Sequence, residues 1–282
     1  MALRRSEVLL TRRMNRDQFW KIIREYPSYR TPQDLPRSAL DRAFGRWSVW
    51  YYQKIVRIVC AMSMQARKAP ITREIWADHQ IRILNAVESC GGRFHIDGFE
   101  HIRAAKPPYV IISNHMSMLE TVFMPVLMQP FTDVTYVVKE ALMSYPFLGT
   151  ILHAVGAIPV SRSNPRHDLK QVLTMGRTVL DGGGSVIIFP QATRSVEFSP
   201  EQFNSIGVKL AQRAGVPVIP AALKTNFQSP GRFLKDFGKI YADRAVHFRF
   251  GEQIPVGVSS KDAHARTVEL IESSLAEWKR ED

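Results

Sequence analysis

From about residue 92 onward, short apolar runs of strand length alternate with helical stretches, and this alternation most narrows what the chain can fold into. Residues 94–96, 109–113, 134–138, 157–160, 186–189, 218–222 and 246–250 read as strands. Residues 118–128, 167–180, 200–214 and 264–280 read as helices. Helices interleaved with strands cover both faces of a sheet, so the expected fold class is α/β, with a mixed, largely buried β-sheet flanked by helices. The run Leu180-Asp181-Gly182-Gly183-Gly184 closes one helix and turns into a strand; no GK[ST] follows it, so it reads as a helix C-cap and turn, not a phosphate loop. There is no internal repeat, and Pro32-Gln33-Asp34-Leu35-Pro36 looks like a hinge.

Charge divides the chain differently. Residues 1–70 hold 15 Lys and Arg against 5 Asp and Glu, so +10 of the formal net charge of +12 sits at the N-terminus. The expected organisation is a basic helical extension over 1–88, followed by a domain over 89–282. A composition of 45% hydrophobic and 23% charged residues is that of an ordinary globular chain. The opening MALRRSEVLLTRR lacks the apolar core of a secretory signal, and no stretch reaches the roughly 18 apolar residues of a spanning helix. Cys60 and Cys90 share no CxxC spacing and read as reduced thiols. His95, Asp97 and His101 come nearest to metal-ligand spacing without making a convincing set, and no metal is expected.

Within the extension, Leu40, Phe44, Trp47, Tyr51, Ile55, Ile58 and Met62 recur at three- and four-residue steps, while Arg42, Arg46, Lys54 and Arg57 fall on other faces. A cationic amphipathic helix over 39–65 follows. Two fates are open to it. Its apolar stripe can pack on the rest of the protein, or Trp47, Trp50 and Tyr51 can rest in a headgroup layer while the basic residues attract anionic lipid at about 1 kcal/mol each. Its apolar stripe does not suit a phosphate-tracking surface, so no nucleic-acid partner is expected.

Four separated stretches carry a resemblance. Asn114-His115-Met116-Ser117-Met118-Leu119-Glu120 is similar to the NHxxxxD block of the glycerolipid acyltransferases, with Glu for Asp. Gly156-Ala157-Ile158-Pro159-Val160-Ser161-Arg162 resembles the second block of that family, and Phe189-Pro190-Gln191-Ala192-Thr193-Arg194-Ser195 its FPEGTRS block. Val216-Pro217-Val218-Ile219-Pro220 resembles the fourth. Their order and spacing over roughly 90–255 make the match specific.

The resemblance implies acyl transfer from a thioester, acyl-CoA or acyl-carrier protein, to a lysophospholipid hydroxyl, with 1-acylglycerol 3-phosphate as the foremost acceptor. No cofactor beyond that cosubstrate is implied. Such a reaction needs a base for the hydroxyl proton, which His115 supplies, and Glu120 on the far ring nitrogen would fix the tautomer. Glu120 has a competing role, since Ser117-Met118-Leu119-Glu120 also fits a capping box. Arg162 and Arg194 are implied on the phosphate side, with Thr193 and Ser195 in support, although an arginine can equally tie loops together. Gly156 and Gln191 complete the implied substrate-binding set.

Gln191 replaces the glutamate of the block but keeps a carbonyl acceptor, and Ala192 replaces its glycine, which predicts an ordinary backbone there or a slightly different loop. The expected setting is cytoplasmic, peripheral on the inner face of a membrane. The rival readings are a different lyso-lipid acceptor and a catalytically drifted lipid-binding protein.

Overall fold

The computed structural model describes residues 13–191, 193–231 and 236–281, so the reading of the first twelve residues and of Ala192 lies outside the described residues. The elements in the first part of the chain are α1 (Arg16–Glu25), β1 (Ser28–Arg30), α2 (Ala39–Phe44), α3 (Ser48–Lys68), α4 (Arg73–Ser89), β2 (Arg93–Asp97), α5 (Phe99–Ala104) and β3 (Val110–Ser113). Then come α6 (Met118–Phe123), α7 (Pro125–Met128), β4 (Val134–Lys139), α8 (Leu148–Ala154), β5 (Ile158–Val160), α9 (Pro165–Asp181) and β6 (Ser185–Ile188). The chain closes with α10 (Ile206–Ala214), β7 (Val218–Lys224), β8 (Ala245–Phe250) and α11 (Ser260–Glu281).

The strands form one sheet in the order β1-β2-β8-β7-β3-β6-β4-β5. From β7 to β5 all neighbours are parallel, β8 runs antiparallel to β7, β2 parallels β8, and β1 is antiparallel to β2. This is the expected mixed α/β sheet. Period-two side-chain alternation feeds two cores: Ile111, Ile187, Ile219 and Leu223 face one side, and Val110, Ile112, Val186 and Val218 the other. The first core is covered by residues of α1, α3, α4 and α6–α8, and the second by α9, α10 and α11. Gly207 lets α10 lie close on β3, because a Cβ there would sit 2.7 Å from Ile112 Cδ1.

Differences from the sequence reading have local causes. The helix expected over 118–128 breaks in two where Met124 precedes Pro125, and the one over 200–214 opens as a single 3₁₀ turn (Pro200–Gln202) before α10. The helix expected over 39–65 is interrupted at Gly45 and Trp47, giving α2 and α3. Asp41 ties these two together, accepting from Lys54, from Trp50 Nε1 at 3.0 Å and from Ser38 Oγ at 2.9 Å.

The expected boundary near residue 88 falls inside one continuous core. Phe19, Tyr29, Tyr51, Ile55 and Leu84 pack in the same cluster as Phe94, Phe123 and Phe248, and β1 from the extension forms the sheet's edge. Glu88 anchors that edge by accepting from Tyr29 Oη and Thr31 Oγ1, each at 2.7 Å.

Candidate active site

β3 carries the chain into the C-terminal edge of the parallel strands, where ligands gather in open α/β sheets. Asn114 locks that exit, its Nδ2 donating to the Leu223 carbonyl and its Oδ1 accepting from the Leu223 N–H, both at 2.8 Å. His115 follows and is held from three sides. Its backbone N–H donates to Gln191 Oε1 at 2.7 Å, its carbonyl accepts from the Ser195 N–H at 2.9 Å, and its ring stacks on Phe189 with centroids 4.6 Å apart at 21°. Its Nδ1 lies 2.9 Å from Glu120 Oε1.

Glu120 is wholly buried. Oε1 also accepts from the N–H groups of Met116 (2.6 Å) and Ser117 (2.7 Å), and Oε2 contacts the hydroxyls of Ser117 (2.8 Å) and Thr225 (2.6 Å). The two roles weighed for this residue therefore coexist: it completes the capping box of α6 and holds the histidine. Burial alone would raise its pKa, but the hydrogen bond and charge of His115, with the hydroxyls of Thr225 and Ser117, bring it below the ordinary carboxylate value. An ionised carboxylate only accepts, so the neutral ring carries its proton on Nδ1 and its lone pair on Nε2. Nε2 has no hydrogen-bond partner among the described residues.

The parallel strands β5 and β6 deliver the remaining motif residues to the same edge. Arg162, just past β5, adopts φ 62°, and its loop is pinned by Asp168, whose carboxylate accepts from the N–H groups of Ser161 (2.8 Å) and Arg162 (2.7 Å) and from Ser161 Oγ (3.0 Å). Arg162 retains exposed surface, yet partial burial of its head group and the nearby charge of Arg194 hold its pKa below the usual value, against the opposing pull of Asp168. Arg194 donates to Asp236, so it does tie loops together while staying within electrostatic reach of Arg162. Thr193 is exposed, and Ser195 is half-buried against His115.

Gln191 and Gly156 stand elsewhere than expected. Gln191 is buried with its Oε1 engaged by the His115 backbone, so it positions the histidine rather than presenting that oxygen to a ligand. Gly156 lies before β5, at the far end of that strand from Arg162, in a left-handed turn (φ 64°) with its carbonyl held by Thr135 Oγ1. Asp168, Thr225, Phe189 and Asp236 were missed from sequence. Thr225 had a usable signal, since it ends an apolar strand at the edge that also holds His115.

His95, Asp97 and His101 do not converge: His95 packs on His247, Asp97 pairs with Arg30 at 2.7 Å, and His101 approaches Glu100 at 3.8 Å. No group of three or more His, Cys, Asp or Glu able to hold a metal occurs among the described residues.

Comparison with known proteins agrees with the four blocks. A family model described as Acyltransferase matches residues 93–224. A 1-acyl-sn-glycerol-3-phosphate acyltransferase of Pseudomonas aeruginosa is 36% identical over 132 residues, covering 47% of this chain and 49% of that protein. A chloroplastic protein of the same name from Brassica napus is 29% identical over 128 residues, 45% of this chain and 36% of that one. The chain thus spans half or less of the length of these curated relatives. The crystal structure of the 1-acyl-sn-glycerophosphate (LPA) acyltransferase PlsC from Thermotoga maritima shares the fold, with a TM-score of 0.55 at 18% identity over 82% of this chain and 94% of that one. Residues 93–224 are thus similar to the acyltransferase domain of the 1-acyl-sn-glycerol-3-phosphate acyltransferases.

Proposed function

We propose that this protein transfers a fatty acyl group from a thioester, acyl-CoA or acyl-carrier protein, to the free hydroxyl of a lysophospholipid, converting 1-acylglycerol 3-phosphate to phosphatidic acid. The observation that carries this reading is the His115–Glu120 pair, 2.9 Å apart, with its carboxylate wholly buried. His115 Nε2 takes the acceptor's proton as its oxygen attacks the thioester carbonyl. The tetrahedral intermediate then expels the thiolate as the C–S bond breaks, and the imidazolium returns the proton to sulfur. Glu120 stabilises the imidazolium meanwhile. No enzyme nucleophile is required. Arg162 and Arg194 meet the acceptor's phosphate, because a guanidinium has five N–H donors and Arg194 keeps capacity beyond its bond to Asp236.

The surface around this edge suits work at a bilayer. Tyr51, Ile55, Ile58 and Met62 of the expected stripe turn inward, while Trp47 (63% exposed), Val49 (80%), Val56 (43%) and Met64 (55%) face solvent beside Arg46, Arg57, Arg67 and Lys68. α3 packs along α8, and Tyr51 and Tyr52 on its inward side touch Phe227 and Phe237 in the segment that carries Asp236, so the helix adjoins the site. No helix among the described residues is long and apolar enough to cross a membrane. Peripheral attachment to anionic lipid on the inner membrane face fits these features.

The test is turnover of labelled acyl-CoA and acyl-carrier thioester with a panel of lyso-lipids. Wild type is expected to esterify 1-acylglycerol 3-phosphate, and folded His115→Ala to lose about 10²–10⁴-fold in rate. Preference for another headgroup would reassign the acceptor. No turnover with any pairing would favour the lipid-binding reading.

A further inference from the structure

His115 emerges near the middle of the sheet edge; Arg162 lies to one side of it, past β5, while Arg194 reaches across to Asp236 in the β7–β8 connection. The other side holds a recess of about 620 Å³ walled by His95, Val196, Asn226, Asp243, Arg244 and His247. β8 is antiparallel to β7 and β2 parallels β8, so the starts of β8 and β2 share an edge with the end of β7, beside the catalytic pair. Two walls are one peptide bond from groups bonded to that pair. Asn226 follows Thr225, which bonds Glu120, and Val196 follows Ser195, whose N–H holds the His115 carbonyl.

The lining has a definite chemistry. Arg244, His95 and His247 stand against one carboxylate, Asp243. The two imidazoles are cross-strand partners with ring centroids 4.8 Å apart, and His247 packs on Trp278 at 4.8 Å, so sheet and helix fix both rings. The Arg244 guanidinium lies 3.8 Å from the Tyr241 ring centroid. Asn226 Oδ1 is buried without a hydrogen-bond partner among the described residues, an arrangement that invites a ligand N–H. The volume lies within the roughly 300–1,000 Å³ of small-molecule sites.

Phosphate at one end, amide N–H groups along a thin arm and sulfur at the other end describe phosphopantetheine, the arm shared by coenzyme A and acyl-carrier protein. We infer that this recess binds the phosphopantetheine arm of the acyl donor, its phosphate toward Arg244 and the histidines and its amides toward Asn226, so that the thioester reaches His115 from the side away from Arg162. This inference rests on the acyl-transfer reading.

The experiment compares wild type with Arg244→Ala and with Val196→Trp, a partly exposed wall position at which a large ring would fill the recess. Steady-state KM is measured separately for acyl-CoA, acyl-carrier thioester and lyso-lipid, and binding of free coenzyme A and holo acyl-carrier protein is measured by calorimetry. Both variants are expected to raise the KM of the donor that wild type uses by about ten- to hundredfold, leave acceptor KM unchanged, and weaken calorimetric binding in step. Unchanged donor KM in folded variants, or a rise in acceptor KM instead, overturns the inference and leaves the acyl-transfer reading standing. Absence of wild-type turnover sinks that reading, and calorimetry then decides the recess alone: binding lost in the variants sustains it, and binding absent or equal throughout overturns it.

Discussion

Truncating Glu120 would orphan the N–H groups of Met116 and Ser117 in a dry interior as well as freeing the His115 ring, because one carboxylate serves all three. Glu120→Ala is therefore expected to destabilise the fold by about 3–5 kcal/mol, well above an exposed cap, since it breaks a buried charged network from one side. Glu120→Gln separates fold from chemistry. Its amide keeps the volume and an acceptor oxygen, but it cannot offset the imidazolium charge. We expect a melting temperature close to wild type with turnover down by about 10²-fold or more, read as kcat at saturating substrates. Equal turnover in Glu120→Gln would reduce this residue to a cap.

At the scale of elements, α3 divides its apolar residues between two duties: Tyr51, Ile55, Ile58 and Met62 cement it to the domain, and Val49, Val56 and Met64 stay outside. Val56→Asp with Met64→Asp is expected to abolish flotation with anionic vesicles at low salt while leaving the circular-dichroism melt unchanged, because neither side chain is in the core. Retained flotation would move the docking face elsewhere. The sequence announced this helix but not which stripe would be exposed, because period alone orders residues around an axis and tertiary contacts choose the buried side. The strands from 94 onward were legible because parallel strands covered on both faces are nearly continuous apolar runs. β1 was not: three residues between Pro27 and Thr31 carry no period, and its place at the edge is set by pairing with β2. α4 escaped as a separate element, since the polar His79, Gln80 and Glu88 are buried with its apolar residues and only a narrow stripe through Asp78 and Arg82 is exposed. His115 and Glu120 were readable as a pair because they are five residues apart. Asp168 and Asp236 reach the site only through the fold.

The whole molecule should report its buried carboxylates in acid. Glu120, Asp41 and Asp168 each have a folded pKa below the ordinary value: burial opposes the shift in all three, and His115, Lys54 and the Ser161 and Arg162 amides respectively outweigh it. Groups of that sign contribute stability that is present above the unfolded values of about 3.9–4.3 and lost as pH falls through the folded ones. Glu88 runs the other way, since burial holds it above the ordinary value despite the Thr31 and Tyr29 hydroxyls, so its contribution is present below about pH 4 and fades as pH rises. Denaturant titrations from pH 3 to 8 should show stability collapsing at the acid end, and Asp168→Asn should flatten part of that fall. An acid limb unchanged in Asp168→Asn would remove Asp168 from the account.

The strand at Ser28–Arg30 carries a practical consequence, because it occupies the flank of β2 that faces away from β8. A protease nick or a trimmed clone that discarded the basic leader through residue 30 would strip the rail from the sheet and bare a row of unsatisfied amides and carbonyls, a template for clumping between molecules. Anyone shortening this chain to its catalytic kernel should cut upstream of Arg16, or expect precipitate.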